Sequence, residues 1–302
     1  MSVKKETPLA NAVFWAARKG NLALLQLLLN SGRVDVDCRD SNGTTALMVA
    51  SFSAHYDCAR ELIMQGADIN LQRKDGGTAL SVACQCGHSK VVETLLKNGA
   101  NVHDQLHDGA TPLFLASQGG HLTVIRHLLS SGAKVNHSRE DGTAPIWMAA
   151  QMGHDDVVKV LLLRGADRDA YRNDGSTALF KSAFKGHNNV IEELLKFSPS
   201  LDLLKNGSTV LHAAVTGGNP SSVSLLLRAK ADPTLPNKDN KLPADLTKSE
   251  DILMALHQKS LNAGTANPET LRCRRISETP CSVSNPALGS SVALGITAPP
   301  GP

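Results

Sequence analysis

Aromatic rings are scarce in this 302-residue chain, Phe, Trp and Tyr together making up 3% of it. With 41% hydrophobic and 20% charged residues, its core must be built from Leu, Val and Ala, in a soluble chain. No apolar run reaches the roughly 18 residues that a membrane helix needs. The densest, residues 22–29, is short and interrupted by Gln26. Residues 1–7 carry charge but lack the apolar core of a signal peptide, so no membrane is expected as a partner and the cytoplasm or nucleus is the expected compartment. Motifs for chemistry are missing as well: there is no G-x-x-x-x-G-K-[ST] loop, no G-x-G-x-x-G after a strand and no G-x-S-x-G elbow. None of the six cysteines forms a C-x-x-C pair, and Cys84 and Cys86, two apart on a helix, point in different directions, which favours reduced thiols over a metal site. No catalytic residue, no metal and no cofactor are therefore expected. The net charge of +3, from 31 basic and 28 acidic residues, is too small to imply nucleic acid by itself.

What the chain has instead is a period. A glycine following a turn acid or amide falls at Gly43, Gly76, Gly109, Gly142, Gly175 and Gly207, spaced by 33 residues four times and then by 32. Residues 108–136 show one tile: Asp108-Gly109 for a tight turn, Thr111 and Pro112 for a helix start, and Leu113, Leu115 and Ala116 for its packing side. After Gly120-His121 a second helix carries Val124, Ile125, Leu128 and Leu129 at helical spacing and ends at Gly132, as the tiles ending at Gly66, Gly99 and Gly165 do. Two helices of two to three turns are marginal alone, because nucleation is costly. They must stack on their neighbours.

The period and the Thr-Pro-Leu at the helix start resemble the ankyrin-repeat family over residues 9–258. The resemblance implies an all-α solenoid of about seven tiles plus a C-terminal half-tile cap, with short turn fingers and a disordered tail. Residues 1–8 are a lead, 9–258 the solenoid and 259–302 the tail. The first tile, 9–41, has Asn11-Ala12-Val13 in place of Thr-Pro-Leu and reads as a capping repeat whose outer face meets water. In the sixth, 174–205, Phe197-Ser198-Pro199-Ser200 replaces the closing Gly-Ala-Asp, and loss of the glycine cap is expected to loosen or bend the stack, as a packing variant or as a hinge. The half-tile has Asn240 where glycine stood and closes on a helix opened by Ser249, Glu250 and Asp251.

His55, His88, His121, His154 and His187 recur once per tile, which fits a structural hydrogen-bonding role; no two share the i, i+4 spacing of a helical zinc pair. Asp108, Asp141 and Asp174 stand one layer apart in turns and make no paired-carboxylate site. The glycosylation-like triplets at Asn42, Asn136 and Asn206 are expected to stay unmodified.

The resemblance directs attention to the two residues before each Gly-His step, which in the family face the concave side. Here they read Arg18-Lys19, Phe52-Ser53, Gln85-Cys86, Gln118-Gly119, Gln151-Met152, Phe184-Lys185 and Thr216-Gly217, a ladder with three glutamines flanked by phenylalanines. Exposed rings there resemble interface anchors, against the alternative that each packs on its neighbour. The turn tips add Arg39, Arg73, Lys74, Arg139, Arg172, Lys205 and Lys238, which favour an acidic partner strip. The expected function is a non-catalytic scaffold or adaptor, a monomer binding an unidentified protein or peptide on its concave surface and turn tips. The alternative is a nucleic-acid-binding array through the basic tips, which calls for strong salt dependence and stacking aromatics; the ladder carries only two.

From about Lys259 the periodicity gives way to Ser, Pro, Ala, Gly and Thr, a composition that reads as disordered. Arg274-Arg275-Ile276-Ser277 resembles a basophilic kinase substrate and Thr279-Pro280 is a second acceptor, so Ser277 and Thr279 are candidate phosphorylation sites.

Overall fold

A computed structural model describes residues 7–262, with side chains as far as residue 258. Its helices come in pairs: α1 (Pro8–Lys19) with α2 (Leu22–Asn30), α3 (Ala46–Phe52) with α4 (Tyr56–Met64), and α5 (Ala79–Cys86) with α6 (Ser89–Lys97). The middle holds α7 (Pro112–Gly119) with α8 (Leu122–Ser130) and α9 (Pro145–Met152) with α10 (Asp155–Leu163). Then follow α11 (Ala178–Lys185) with α12 (Asn188–Leu195), α13 (Val210–Thr216) with α14 (Pro220–Arg228), a short 3-10 helix (Pro243–Leu246) and α15 (Glu250–Asn262). First helices stack on first helices and second on second, so one hydrophobic core runs through every layer from Val13 to Leu256. No strand occurs among the described residues; two isolated bridges, Arg39 with Thr45 and Tyr171 with Thr177, close turn fingers.

The local chemistry of the tile explains its repetition. The hydroxyls of Thr45, Thr78, Thr111, Thr177 and Thr209 each accept the backbone N–H three residues on, at 3.2–3.3 Å, and fix where the first helix starts. Ala144 occupies this position in the fifth tile and has no side-chain cap. In the fingers, the Oδ1 atoms of Asp75, Asp108, Asp141, Asp174 and Asn206 accept the N–H two residues ahead. The first five full fingers are bonded in sequence, as where His107 N–H donates to Asp75 O at 2.9 Å and Asn173 N–H to Asp141 O at 3.0 Å. Gly76 shows why the finger needs glycine: its φ is +85°, and a Cβ would stand 2.6 Å from the Gln105 carbonyl of the following finger.

Three expectations need correction. The first tile does have the Thr-Pro-Leu start, one helical turn upstream of the 33-residue register: Thr7 caps α1 through Ala10 N–H and Pro8 opens it. Helix α1 runs to 12 residues, against seven or eight for the later first helices. Its outer face is also less polar than a cap that simply meets water, since Trp15 is 52% and Leu27 69% exposed. In the sixth tile the left-handed turn survives without glycine, because Ser198 adopts φ 51° at the position of Gly165. Pro199 has no N–H for the Leu194 carbonyl, which accepts from Phe197 N–H instead. Arg168 Nε donates to Ser198 O and Ser200 N–H to Asp169 Oδ1, tying the turn to the preceding layer. The C-terminal half-tile is present as expected, with Asn240 taking φ 60° in its finger and a 3-10 helix standing where a first helix would be. Lastly, α15 continues through Asn262, past the point where the periodicity ends. Apart from residues 259–262, the expected tail, with Ser277 and Thr279, lies outside the described residues.

Candidate functional site

The ladder residues sit at the C-terminal ends of the first helices, and one bond repeated through the stack sets their backbone. Nε2 of His55, His88, His121, His154 and His187 lies 3.0–3.1 Å from the carbonyl oxygens of Arg18, Phe52, Gln85, Gln118 and Gln151. A carbonyl only accepts, so in each ring Nε2 carries the proton. The sixth rung keeps the tie by other means, Asn219 Nδ2 donating to Phe184 O at 3.0 Å. Each tile thus holds the ladder residue of the tile before it. The glycine of the Gly-His step makes room for the ring: a Cβ on Gly87 would lie 2.4 Å from Nδ1 of His121. The periodic histidines are structural, as their spacing suggested.

With their carbonyls fixed, the side chains face solvent to different degrees. Phe52 is 63%, Met152 47% and Phe184 38% exposed, while Arg18, Lys19, Gln85, Gln118 and Lys185 are exposed and Ser53, Cys86 and Gln151 are half-buried. Phe184 also meets a cation, with Lys181 Nζ 5.7 Å from its ring centre. Phe52 is therefore the more open of the two ladder rings.

The turn tips are less free than a row of cations suggests. Arg139 reaches back to Asp108 at 2.9 Å and lies 5.2 Å from the Phe114 ring centre. Arg172 pairs with Asp141 at 3.1 Å and Asp174 at 3.5 Å and lies 5.3 Å from Trp147. Arg73 is bound to Asp75 of its own finger, and Lys205 Nζ stands 3.6 Å above the Tyr171 ring. Burial pushes the Asp75, Asp141 and Asp174 carboxyls up, but the N–H and hydroxyl groups that bond them and the neighbouring arginines outweigh it and hold all three below the usual carboxylate value. Much of the tip charge serves to join fingers. Lys74 is exposed and makes no ion pair among the described residues.

No group of three or more His, Cys, Asp or Glu side chains among the described residues could hold a metal ion. Burial raises the thiols of Cys84 and Cys86, and together with nearby carboxylates raises that of Cys38 to about 11, so these cysteines stay protonated at neutral pH. No helix of the described residues is long and apolar enough to cross a membrane.

A layered stack of capped helix pairs with hydrogen-bonded fingers defines a class, and the comparisons agree with it: the family model described as ankyrin repeats in three copies matches residues 4–73, 61–139, 98–170 and 146–237. The chain belongs to the ankyrin-repeat family, whose architecture serves non-catalytic protein–protein interaction through the repeat surface. It is 77% identical over 295 residues to ankyrin repeat domain-containing protein 29 of Danio rerio, covering 87% of this chain and 99% of that protein. To the Homo sapiens protein of the same name it is 75% identical over 292 residues, covering 86% and 97%. Among solved structures, the human ASB11 ankyrin repeat domain superposes with a TM-score of 0.56 at 27% identity, over 84% of this chain and 97% of that one.

One feature escaped the reading of the ladder alone. Val49 and Val82 lie beside Phe52 at positions that Leu115 and Met148 occupy further along, and this change of size is visible when the tiles are aligned column by column.

Proposed function

We propose that this chain is a scaffold or adaptor that binds a partner protein or peptide through the ladder, with the turn tips at its edge. The observation that carries the reading is the repeated bond just described: the backbone of each rung from Arg18 to Phe184 is anchored by the following tile, while its side chain is spared from holding the tile together. Side chains on a rigid support lose little conformational entropy on binding, which favours recognition. Phe52 and Met152 supply apolar anchors, and the glutamines supply both donors and acceptors. The nucleic-acid alternative has less behind it, because Arg73, Arg139 and Arg172 are already paired with carboxylates.

The test is proximity labelling in cells with the full chain and with its Phe52→Ala, Gln85→Ala, Gln118→Ala triple variant. The variant should melt near the unsubstituted chain and lose its principal labelled proteins. Labelling that persists unchanged, or a variant that unfolds, would show that these side chains are not a free binding surface.

A further inference from the structure

Beside Phe52 the ladder opens into a cavity of about 230 Å3. Met48, Val49, Phe52 and Val82 supply its apolar lining, and Arg18 and Arg73 stand at its rim. The cavity is open where its far wall, Val82, is small. Val82 occupies the position that one tile later holds Leu115, and there the larger side chain packs with Ala110, Phe114 and Met148 into a closed cluster.

Arg18 and Arg73 are the charged residues of the lining, and the finger acids Asp40 and Asp75 are engaged, Asp40 by the N–H groups of Asn42 and Thr44 and Asp75 by Arg73. Arg18 and Lys19 are exposed in the last turn of α1, and Arg18 forms no ion pair among the described residues. Arg73 shares its charge with Asp75, whereas Lys74 beside it is exposed. Resting on the ladder reading above, we infer that this cavity is the specificity pocket of the scaffold, accepting one large aliphatic or aromatic side chain of a partner peptide whose flanking residues are Asp or Glu. The apolar side chain fills the space that Leu115 closes in the next gap, and the flanking carboxylates meet Arg18 and Lys19. A basic or wholly polar segment would leave the lining empty or oppose the rim.

The probe is a fluorescein-labelled peptide with a single leucine between paired glutamates, titrated with the full chain and followed by anisotropy. Two control peptides replace the leucine by serine or the glutamates by lysines. The acidic leucine peptide should bind saturably, both controls should bind more weakly, and added salt should weaken the complex. Val82→Leu, which places in the cavity the side chain already accommodated at Leu115, should weaken binding about tenfold or more, the order expected when a buried apolar side chain loses its seat. Arg18→Glu, on an exposed residue in the last turn of α1 whose charge reversal costs the helix only a modest dipole interaction, should weaken it too. Equal binding of the serine peptide, or no saturation by about 1 mM protein, overturns the pocket. Binding that ignores Val82→Leu and Arg18→Glu but falls with Gln118→Ala also overturns it, and leaves the ladder reading intact. Cellular labelling that survives the triple substitution would instead sink the ladder reading, whatever the probe does.

Discussion

At the scale of the residue, the tile is defined by positions where only a few side chains are comfortable, and its exceptions are informative. Ala54 occupies the position of Gly87, Gly120, Gly153 and Gly186 and is held at φ 60°. A left-handed conformation costs a residue with a Cβ roughly 1–2 kcal/mol, and glycine's greater freedom in the unfolded chain takes part of that back, by about 0.4–1 kcal/mol. Ala54→Gly should therefore stabilise the chain by roughly 0.5–1 kcal/mol, read as a higher urea midpoint at unchanged slope; a lower midpoint would mean that the Cβ packs usefully. The finger carboxylates make a second prediction. Asp75, Asp141 and Asp174 have folded-state pKa values below the ordinary one, so their contribution is fully present above the unfolded pKa and is lost as pH falls through the folded one. The melting temperature should drop between about pH 5 and about pH 3, and less steeply in an Asp75→Asn, Asp141→Asn, Asp174→Asn variant. Asparagine keeps the turn, as Asn206 shows, so a variant with the same acid slope would remove these carboxylates as the cause. Sequence alone revealed that these acids belong to turns. It could not reveal that Arg139 and Arg172 cross to the preceding finger, because a side chain's partner depends on the stacking distance between layers and not on spacing along the chain.

At the scale of the element, legibility followed the period. The 33-residue register placed the interior helix pairs and the rungs correctly, because each tile sees the same neighbours on both sides. Where a neighbour is missing or altered, local rules took over. The start of α1 moved to Thr7 and Pro8, where a capping hydroxyl and a proline meet, and the closing tile kept Pro243 but only a 3-10 helix. The sixth tile is the instructive case. Its missing glycine was plain in the sequence, but the ties from Arg168 and Asp169 that steady Ser198 come from the layer before it. Val190, Ile191 and Leu194 of α12 are fully buried, as Val157, Val158 and Leu161 of α10 are. We expect the amides of α11 and α12 to exchange with protection within about tenfold of those in α9 and α10. Markedly faster exchange confined to residues 174–205 would restore the loosened joint that the missing glycine suggested.

At the scale of the whole molecule, helices contact their own layer and the next, so stability is a sum of tiles and interfaces and an interior defect divides the stack. Leu128 of α8 is fully buried in the fourth of about seven tiles, and truncating such a leucine costs roughly 2–5 kcal/mol. A globular core would share that loss throughout. Here the tiles before and after the defect each keep their own interfaces and one natural end, so Leu128→Ala should unfold its own region first. The chain carries its own reporters: of its two tryptophans, Trp147 is 2% exposed in α9, next to the defect, and Trp15 is 52% exposed in α1, at the far end. In Leu128→Ala, with Trp15→Phe added to leave a single signal, Trp147 fluorescence should change at lower urea than the far-ultraviolet circular dichroism of the whole stack. With Leu25→Ala, a cavity in the first tile, the order should reverse, the early change appearing in circular dichroism while Trp147 holds. Coincident transitions in both variants would mean that the interfaces between tiles are strong enough to make the array fold as one unit, and the nearest-neighbour account of its stability would fail.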